Sequence, residues 1–285
     1  MIDGGTVGLI FSKDRAMQLD AVLQSLYMHC PDIDDIDLKV IYTVSNEFHE
    51  NQYAQLISHY RQVEFIREIA FKPQVIASVA AYDYVLFLVD DNIVVRDFSM
   101  QEIIGTLKTT ADAIGFSLRL GVNITFCYPH QKSQDCPFFI PIGNAFIKFA
   151  WPLGKYDFGY PLEISSSLYR VADILEILKQ ANYFNPNTLE VCLSSHSVLF
   201  LNRKNMLICN QHTLSFCNPV NMVQSTCNNL AGITIHYDVE ALAQRFEVGE
   251  RIDVGKYSGF TPHSCHQEVE LLFTKSWNEP KEVHR

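Results

Sequence analysis

Two acids and an amide follow directly on an apolar run at the end of one predicted strand. They are Asp90, Asp91 and Asn92, and the run extends from Tyr84 to Val89. Neighbouring acids at the end of a buried strand lose hydration and repel each other, so their ionised forms are costly without a partner. The motif therefore predicts that a positive group lies beside it while the protein works.

The first hundred residues alternate apolar runs with segments of helical spacing. The predicted strands are Thr6–Phe11, Leu38–Val44, Val63–Ile66 and Tyr84–Val89. Apolar residues recur every three or four positions between the first two strands, and shorter helical segments separate the others. Continuous apolar strands joined by helices predict an α/β fold with a mostly parallel sheet that helices cover on both faces.

Three polar segments follow three of these strands. They are Ser12–Arg15, Ser45–Glu47 and Asp90–Asn92. Ligands of open parallel sheets bind beyond the carboxyl ends of the strands, so we expect the three segments to face one crevice. Cations, hydroxyls and acids along one edge suit a phosphorylated ligand that carries a metal ion.

The pattern changes beyond Asp97. A helix near Gln101–Thr110 precedes predicted strands at Ala113–Leu120 and Ile142–Ala150, and another helix begins at Val171. The spacing of Asn187 and Glu190 is that of a capping box, which predicts a helix through His196. No repeat or linker divides the chain, so we expect a single domain over residues 1–277 and a frayed tail over 278–285.

The bulk composition excludes some classes of protein. The chain has 285 residues, 48% apolar and 19% charged, which is enough for a large core and argues against disorder. A net charge of −10 disfavours a dedicated nucleic-acid binder, so we expect no nucleic-acid partner. The first residues lack a basic segment, and no uncharged stretch approaches the roughly 20 apolar residues that cross a bilayer. We therefore expect a soluble, cytoplasmic protein.

The eight cysteines are scattered and include no Cys-x-x-Cys pair, so we expect reduced thiols. A zinc site of Cys127, His130 and Cys136 stays open as an alternative, although its spacing matches no strong template.

Several short motifs resemble those of bacterial glycosyltransferases of the A-type (GT-A) fold, in a branch near the large family two. They are Phe11–Arg15, Gln18–Asp20, Val89–Asn92, Pro186–Glu190 and Asn218–Asn221. The resemblance implies one GT-A-like domain, with a nucleotide-binding half over 1–98 and an acceptor-side half with a mixed sheet over 99–277. It also implies transfer of a sugar from a nucleotide sugar to a saccharide or lipid-linked acceptor, in the synthesis of surface polysaccharide or glycoconjugates.

The same resemblance assigns residues to a donor site that contains Mg²⁺ or Mn²⁺. The cation would bridge the diphosphate of the nucleotide sugar, and oxygen ligands suit either metal. Asp90 would contact ribose, and the expected metal ligands are Asp91, Asn92 and His266. The other nucleotide contacts would come from Ser12, Lys13, Asp14, Arg15 and Glu47, with Lys13 or Arg15 on phosphate and Asp14 or Glu47 on base or ribose.

Each assignment has a simpler alternative. Asp and Asn favour turns and caps, and a loop lysine is often solvated. Glu47 is also explained as an acid at a helix start, and His266 as a surface histidine.

On the acceptor side, the resemblance favours an inverting reaction, which needs a general base beside the acceptor hydroxyl. Glu190 is the first candidate and Asp157 the second, with helix capping as the alternative role of Glu190. Relatives carry an acid near Ser165 or Ser166, where this chain has only serines. The expected acceptor wall is aromatic, because such rings stack on sugars, although core packing would also explain these side chains: Trp151, Tyr156, Phe158 and Tyr160.

Two rival functions stay open. One is nucleotidyl transfer by a sugar-phosphate activating enzyme, although the Gly-rich loop expected after the first strand is missing. The other is a degenerate binding protein, which Asn92 favours. A dehydrogenase lacks its Gly-x-Gly-x-x-Gly motif. Peripheral membrane contact through Phe273–Trp277 is conceivable, and a terminal helix is the alternative for that stretch.

Overall fold

A computed structural model describes residues 4–224 and 230–275. The strands are β1 (Thr6–Lys13), β2 (Asp37–Thr43), β3 (Glu64–Arg67), β4 (Tyr84–Val89), β5 (Asn92–Val94), β6 (Ala113–Ser117), β7 (Phe126–Cys127), β8 (Lys132–Ser133), β9 (Ile140–Ile142), β10 (Phe146–Ala150), β11 (Ser166–Arg170), β12 (Met206–Asn210), β13 (Ser215–Cys217), β14 (Arg251–Ile252) and β15 (Phe273–Thr274). The helices are α1 (Ala16–His29), α2 (Glu47–His59), α3 (Phe71–Val79), α4 (Met100–Thr109), α5 (Val171–Gln180), α6 (Pro186–Ser195) and α7 (Val239–Glu247).

The first four strands form the parallel part of the main sheet. In the described residues this sheet has the order β3-β2-β1-β4-β11-β6-β12-β10-β9. β1 runs parallel to both β2 and β4, and β2 runs parallel to β3. β1 is buried from Thr6 to Ser12, as its continuous apolar run predicts for a central strand covered on both faces. The carboxyl ends of these four strands therefore meet at one edge.

The second half makes the sheet mixed. β11 is antiparallel to β4 and β6, whereas β12 runs parallel to β6. The predicted strand Ile142–Ala150 contains β10 and only the last residue of β9, and the two strands pair antiparallel. Gly143, in the connection between them, has a φ of 59°, a conformation that glycine adopts without strain. The predicted α/β fold with a mixed second half is confirmed.

The N-cap of helix α6 lies two residues before the predicted one. Asn185 is the N-cap, its side chain accepts a hydrogen bond from the Thr188 amide at 2.9 Å, and Thr188 completes the capping box. Pro186 occupies the first turn, where its missing N–H costs nothing. The capping role expected for Asn187 and Glu190 is therefore wrong, and the carboxylate of Glu190 is available for other contacts.

The end of the described chain is extended. β15 (Phe273–Thr274) pairs antiparallel with β14, so the terminal helix considered for Phe273–Trp277 does not begin there. Residues 276–285, which include the predicted frayed tail, lie outside the described residues. Within residues 4–224 and 230–275, no helix combines the length and the apolar character that a bilayer crossing requires.

A buried acid connects α1 to two distant segments. Asp20 is fully buried, and its carboxylate accepts hydrogen bonds from the Tyr60 hydroxyl at 2.6 Å and the Gln24 amide at 2.5 Å. Arg251 Nε lies 3.6 Å from the same carboxylate. Burial outweighs these contacts and raises the pKa of Asp20 to about 6.

This pKa predicts a specific pH dependence of stability. Because the pKa of an unfolded aspartate is about 3.9, the folded protein binds the Asp20 proton more tightly. The resulting stabilisation is complete below about pH 4 and is lost as pH rises through about 6. Relative to Asp20→Asn, which cannot ionise, the wild type should lose up to about 3 kcal/mol of unfolding free energy between about pH 4 and 7. Urea unfolding of both proteins measures this, and parallel profiles would contradict the assignment.

Candidate functional site

A cavity of about 540 Å³ lies at the edge where the parallel strands end. Residues at or just beyond the carboxyl ends of β1, β2, β3 and β4 line it, together with the start of α6 and several loops. Its polar lining residues include Ser12, Lys13, Arg15, Thr43, Glu68, Asp90, Asp91, Tyr128, Glu190, Asn221 and His266. A crevice is therefore present at the predicted edge of the sheet, but Ser45–Glu47, one of the three segments expected to face it, does not line it.

Asp90 is held by the end of β1 and the loop that follows it. Asp90 is 5% exposed, and its Oδ2 accepts hydrogen bonds from the Ser12 hydroxyl at 3.0 Å and the Lys13 backbone amide at 3.1 Å. Arg15 Nη1 donates to Oδ1 at 2.9 Å, and Arg15 Nη2 donates to the carbonyl of Asn221. The sequence predicted a positive group beside the acids. For Asp90, that group is the guanidinium of Arg15.

Arg15 compensates the two acids unequally. Burial disfavours its charged form, but the carboxylates of Asp90 and Asp91 outweigh burial and raise the pKa of Arg15. Nη1 lies 2.9 Å from Asp90 and 4.0 Å from Asp91. Asp91 is therefore the less compensated acid of the pair.

Two residues that line this cavity each contain a buried polar atom without a partner among the described residues. Asp91 Oδ1 and His266 Nδ1 have no hydrogen-bond partner among the described residues, and both residues line the cavity. Buried polar atoms are nearly always paired, so an exception indicates a bound ion, water or ligand. Burial, assisted by the charge of Arg119, lowers the pKa of His266, which keeps its imidazole in the neutral form that binds metals.

These two groups fit a metal site that substrate phosphates and waters complete better than one built from protein ligands alone. Among residues 4–224 and 230–275, no three His, Cys, Asp or Glu side chains group so as to hold a metal ion. That finding gives no support to zinc at Cys127, His130 and Cys136. Mg²⁺ commonly binds through one or two carboxylates, with substrate phosphates and waters as the other ligands. Asp91, with His266 as a second donor, fits that incomplete set.

The side chain of Asn92 makes hydrogen bonds within the fold. Its side-chain oxygen accepts a hydrogen bond from the Val89 amide at 3.0 Å, and its side-chain nitrogen donates to Cys217 Sγ at 3.2 Å. Asn92 is 1% exposed and does not line the 540 Å³ cavity. The structure thus places this predicted metal ligand at the start of β5, where its side chain closes the turn that follows β4.

Asp14 and Glu47 also lie outside the cavity lining. Asp14 has a φ of 54°, which Asp tolerates better than most residues, and its carboxylate accepts a hydrogen bond from the Ser45 amide at 2.7 Å. It therefore ties the loop after β1 to the loop after β2. Glu47 is exposed in the first turn of α2, where an acid favours the helix dipole.

Glu190 lies on the first turns of α6 and lines the cavity. Its Oε2 accepts a hydrogen bond from the Ile164 amide at 3.2 Å. Burial, followed by the charge of Glu163, raises the pKa of Glu190, and Arg119 opposes the shift. A carboxylate whose pKa is shifted toward neutrality is suited to general-base chemistry.

Asp157, the second candidate base, is committed to the interior. It is 5% exposed and does not line the cavity, and its Oδ2 accepts a hydrogen bond from Gln134 Nε2 at 2.8 Å. Arg119 Nη1 lies 3.8 Å from its carboxylate. The structure therefore does not bring Asp157 together with Glu190 at the cavity surface.

The predicted aromatic wall does not line the cavity either. Trp151 is 5% exposed and Phe158 is fully buried, so both belong to the core. Tyr156 and Tyr160 are partly buried and are absent from the lining residues. Tyr128, which was not predicted as a site residue, lines the cavity instead.

A buried acid near the expected acceptor base also escaped prediction. Glu163 is 2% exposed, and its carboxylate accepts hydrogen bonds from the hydroxyls of Ser165 and Ser167 and from the Ser166 amide. Burial is opposed by Arg119, 3.5 Å away, and by these donors, so the pKa of Glu163 is lowered. The signal was present in the sequence, since an acid stands two residues before the serines. The contact with Arg119 was not readable, because the two residues are far apart in the chain.

Distant motifs meet behind the acids. Gln18 Nε2 donates to Asn221 Oδ1 at 3.0 Å, and the Asn218 amide donates to the carbonyl of Asp91 at 2.8 Å. The segments that carried the resemblance are therefore neighbours in space and support one site.

Removing the buried Arg15 should lower the unfolding free energy more than removing an exposed arginine. Arg15→Met leaves Asp90 buried without its ion pair and should lower the unfolding free energy by about 3–5 kcal/mol. Arg67→Met removes an exposed pair with Glu50 and should cost at most about 1 kcal/mol. Urea denaturation of both variants tests this, and losses of similar size would contradict it.

One comparison with proteins of known sequence relates the chain to a glycosyltransferase. It is 33% identical over 191 residues to the bifunctional glycosyltransferase pgtA of Dictyostelium discoideum. The match covers 60% of this chain and 24% of that protein, so it spans about a quarter of the relative's length. No protein-family profile matches the chain.

The solved structures to which the chain is similar include further glycosyltransferases. S. aureus TarS is 14% identical, with 72% of this chain and 57% of that chain covered and a TM-score of 0.41. The mannosyltransferase PcManGT of Pyrobaculum calidifontis, in complex with GDP-Man and Mn²⁺, is 8% identical, with 72% and 56% covered and a TM-score of 0.42. The sequence relationship to pgtA confirms the resemblance to glycosyltransferases, and the mixed α/β sheet matches the fold class that the resemblance implies.

Proposed function

We propose that this chain transfers a sugar from a nucleotide-sugar donor, and that Asp91 holds the divalent cation that accompanies the donor. The observation that carries the proposal is the unequal pair of acids at the end of β4. Arg15 compensates Asp90, whereas Asp91 has an unpartnered oxygen in a cavity large enough for a nucleotide. The relationship to a bifunctional glycosyltransferase supports the same activity.

The donor site combines fixed and free charges. Mg²⁺ or Mn²⁺ held by Asp91 and His266 would neutralise the diphosphate as it leaves. Lys13 lines the cavity, and its ammonium makes no hydrogen bond or ion pair with the described residues, so it is free to approach a phosphate. Arg15 is already bound to Asp90 and Asn221 and serves mainly to hold the acids in place.

Glu190 is the proposed general base. It lines the same cavity as Asp91, it is not used as a helix cap, and burial raises its pKa. These properties suit removal of a proton from an acceptor hydroxyl in an inverting transfer. The proposed acceptor is a saccharide or a lipid-linked saccharide, in the synthesis of surface polysaccharide or glycoconjugates.

Binding of the donor product should depend on Asp91. A nucleoside diphosphate with Mn²⁺ at about 100 times its Kd should stabilise the fold by about 2.7 kcal/mol, a rise in Tm of about 4–5 °C. Asp91→Asn should remove the part of the shift that depends on Mn²⁺, while Asp34→Asn, an exposed acid away from the cavity, should retain it. Thermal melts with and without Mn²⁺ measure both effects.

Three results would count against this assignment. A full Mn²⁺-dependent shift in Asp91→Asn would remove Asp91 from the site. Release of pyrophosphate from a nucleoside triphosphate would favour the nucleotidyltransferase alternative. Nucleotide binding without turnover of any donor would favour a binding protein.

Glu190→Gln should separate binding from chemistry. Loss of a general base typically costs about 10²–10⁴-fold in rate. We therefore expect kcat for donor consumption to fall by that range, while the stabilisation by nucleotide and Mn²⁺ stays unchanged. Glu176→Gln, an exposed acid on α5, is the matched control. A rate within a few-fold of wild type would show that Glu190 is not the base.

A further inference from the structure

The end of the cavity beside β3 carries a carboxylate that accepts no hydrogen bond from the described residues. Glu68 follows β3, and its backbone amide donates to the Tyr42 carbonyl at 2.7 Å, which fixes the residue at the exit of the strand. The Glu68 side chain lines the cavity and makes no hydrogen bond or ion pair with the described residues. Burial raises its pKa, and the charge of Lys13 opposes the rise.

Glu68 lies about one nucleotide away from the acids. The exits of β3, β2, β1 and β4 follow one another along the sheet edge. Neighbouring strands are about 4.8 Å apart, so three spacings place the exit of β3 roughly 14 Å from that of β4. A nucleoside diphosphate whose phosphates meet the cation at Asp91 can therefore extend along this edge and bring its base to Glu68.

The surroundings of Glu68 suit a planar base. Ile41 and Phe71 contribute apolar surface to the cavity lining, and Thr43 contributes a hydroxyl at the end of β2. Glu47, the acid predicted to contact the base, is exposed on α2 and is absent from the lining. Glu68 is thus the better placed carboxylate for reading the base.

We propose that Glu68 makes the donor site selective for guanine nucleotides, an inference that rests on the proposed nucleotide-sugar activity. A carboxylate only accepts hydrogen bonds, and it can accept two parallel ones. Guanine presents two adjacent donors, the ring N1–H and the amino group at C2. Uracil and thymine present one N–H between two carbonyl oxygens that repel a carboxylate, and cytosine and adenine present an amino group beside an unprotonated ring nitrogen.

Isothermal titration with GDP, UDP, CDP and ADP, each with Mn²⁺, tests the selectivity. GDP should bind at least about tenfold more tightly than each of the others, since one well-placed hydrogen bond to a charged group contributes about 1.5–3 kcal/mol. Glu68→Gln has the same shape but offers one donor and one acceptor. Its affinity for GDP should fall about tenfold or more, and its preference for GDP over UDP should fall with it. Glu47→Gln, the matched control, should keep the wild-type ratios.

The outcomes separate this inference from the proposed function. Tighter binding of UDP, CDP or ADP than of GDP by the wild type would overturn the guanine assignment and leave the transferase proposal standing. Unchanged ratios in Glu68→Gln would likewise remove Glu68 as the selecting residue. Binding of none of the nucleotides would overturn the proposed function and this inference together. Denaturation of Glu68→Gln like wild type excludes misfolding as the cause of any loss.

Discussion

The ion pair between Arg15 and Asp90 is the constraint on which the site depends. It joins the loop after β1 to the end of β4, and the second guanidinium nitrogen of Arg15 reaches the carbonyl of Asn221. Two adjacent acids at a strand end would otherwise repel each other. Because Arg15 satisfies Asp90, the turn can present Asp91 to the cavity with an unpartnered oxygen. The charge needed for a dication is thus concentrated on one residue.

A second cluster of buried charges lies behind Glu190 and is centred on Arg119. Arg119 is 3% exposed and lies near the carboxylates of Asp157 and Glu163. The serines after Glu163 supply further donors to its carboxylate. Glu190 lies at the margin of this cluster, where burial and the charge of Glu163 raise its pKa. Asp157 and Glu163 are therefore held in the interior by Arg119, while Asp91 and Glu190 line the cavity.

The sequence was sufficient for the parallel half of the fold because its signals are local. Continuous apolar runs marked β1 to β4, and the rule that ligands bind beyond the carboxyl ends of parallel strands located the cavity. The short strand β5 was not predicted, since only pairing with the distant β13 defines it. The predicted strand Ile142–Ala150 began in the last residue of β9, because the hairpin is defined by the pairing of β9 with β10 and not by a local signal.

Individual roles were harder to predict than the location of the site. Asp91 and Asn92 are adjacent in sequence, yet one faces the cavity and the other bonds to Val89 and Cys217. Trp151 and Phe158 are aromatic residues of the kind that stack on sugars, but both pack in the core. Glu68 gave no motif, and its exposure to the cavity depends on the order of strands in the sheet. Such differences arise from contacts between distant segments, which residue types and spacing do not encode.

The most direct test of the central claim is the position of Mn²⁺ in a crystal grown with a nucleoside diphosphate, located by its anomalous scattering. The account predicts a manganese ion coordinated by Asp91 and by phosphate oxygens, with the Arg15–Asp90 pair intact. Coordination by Asp90 with Arg15 displaced, or a metal and nucleotide bound away from the end of β4, would contradict it.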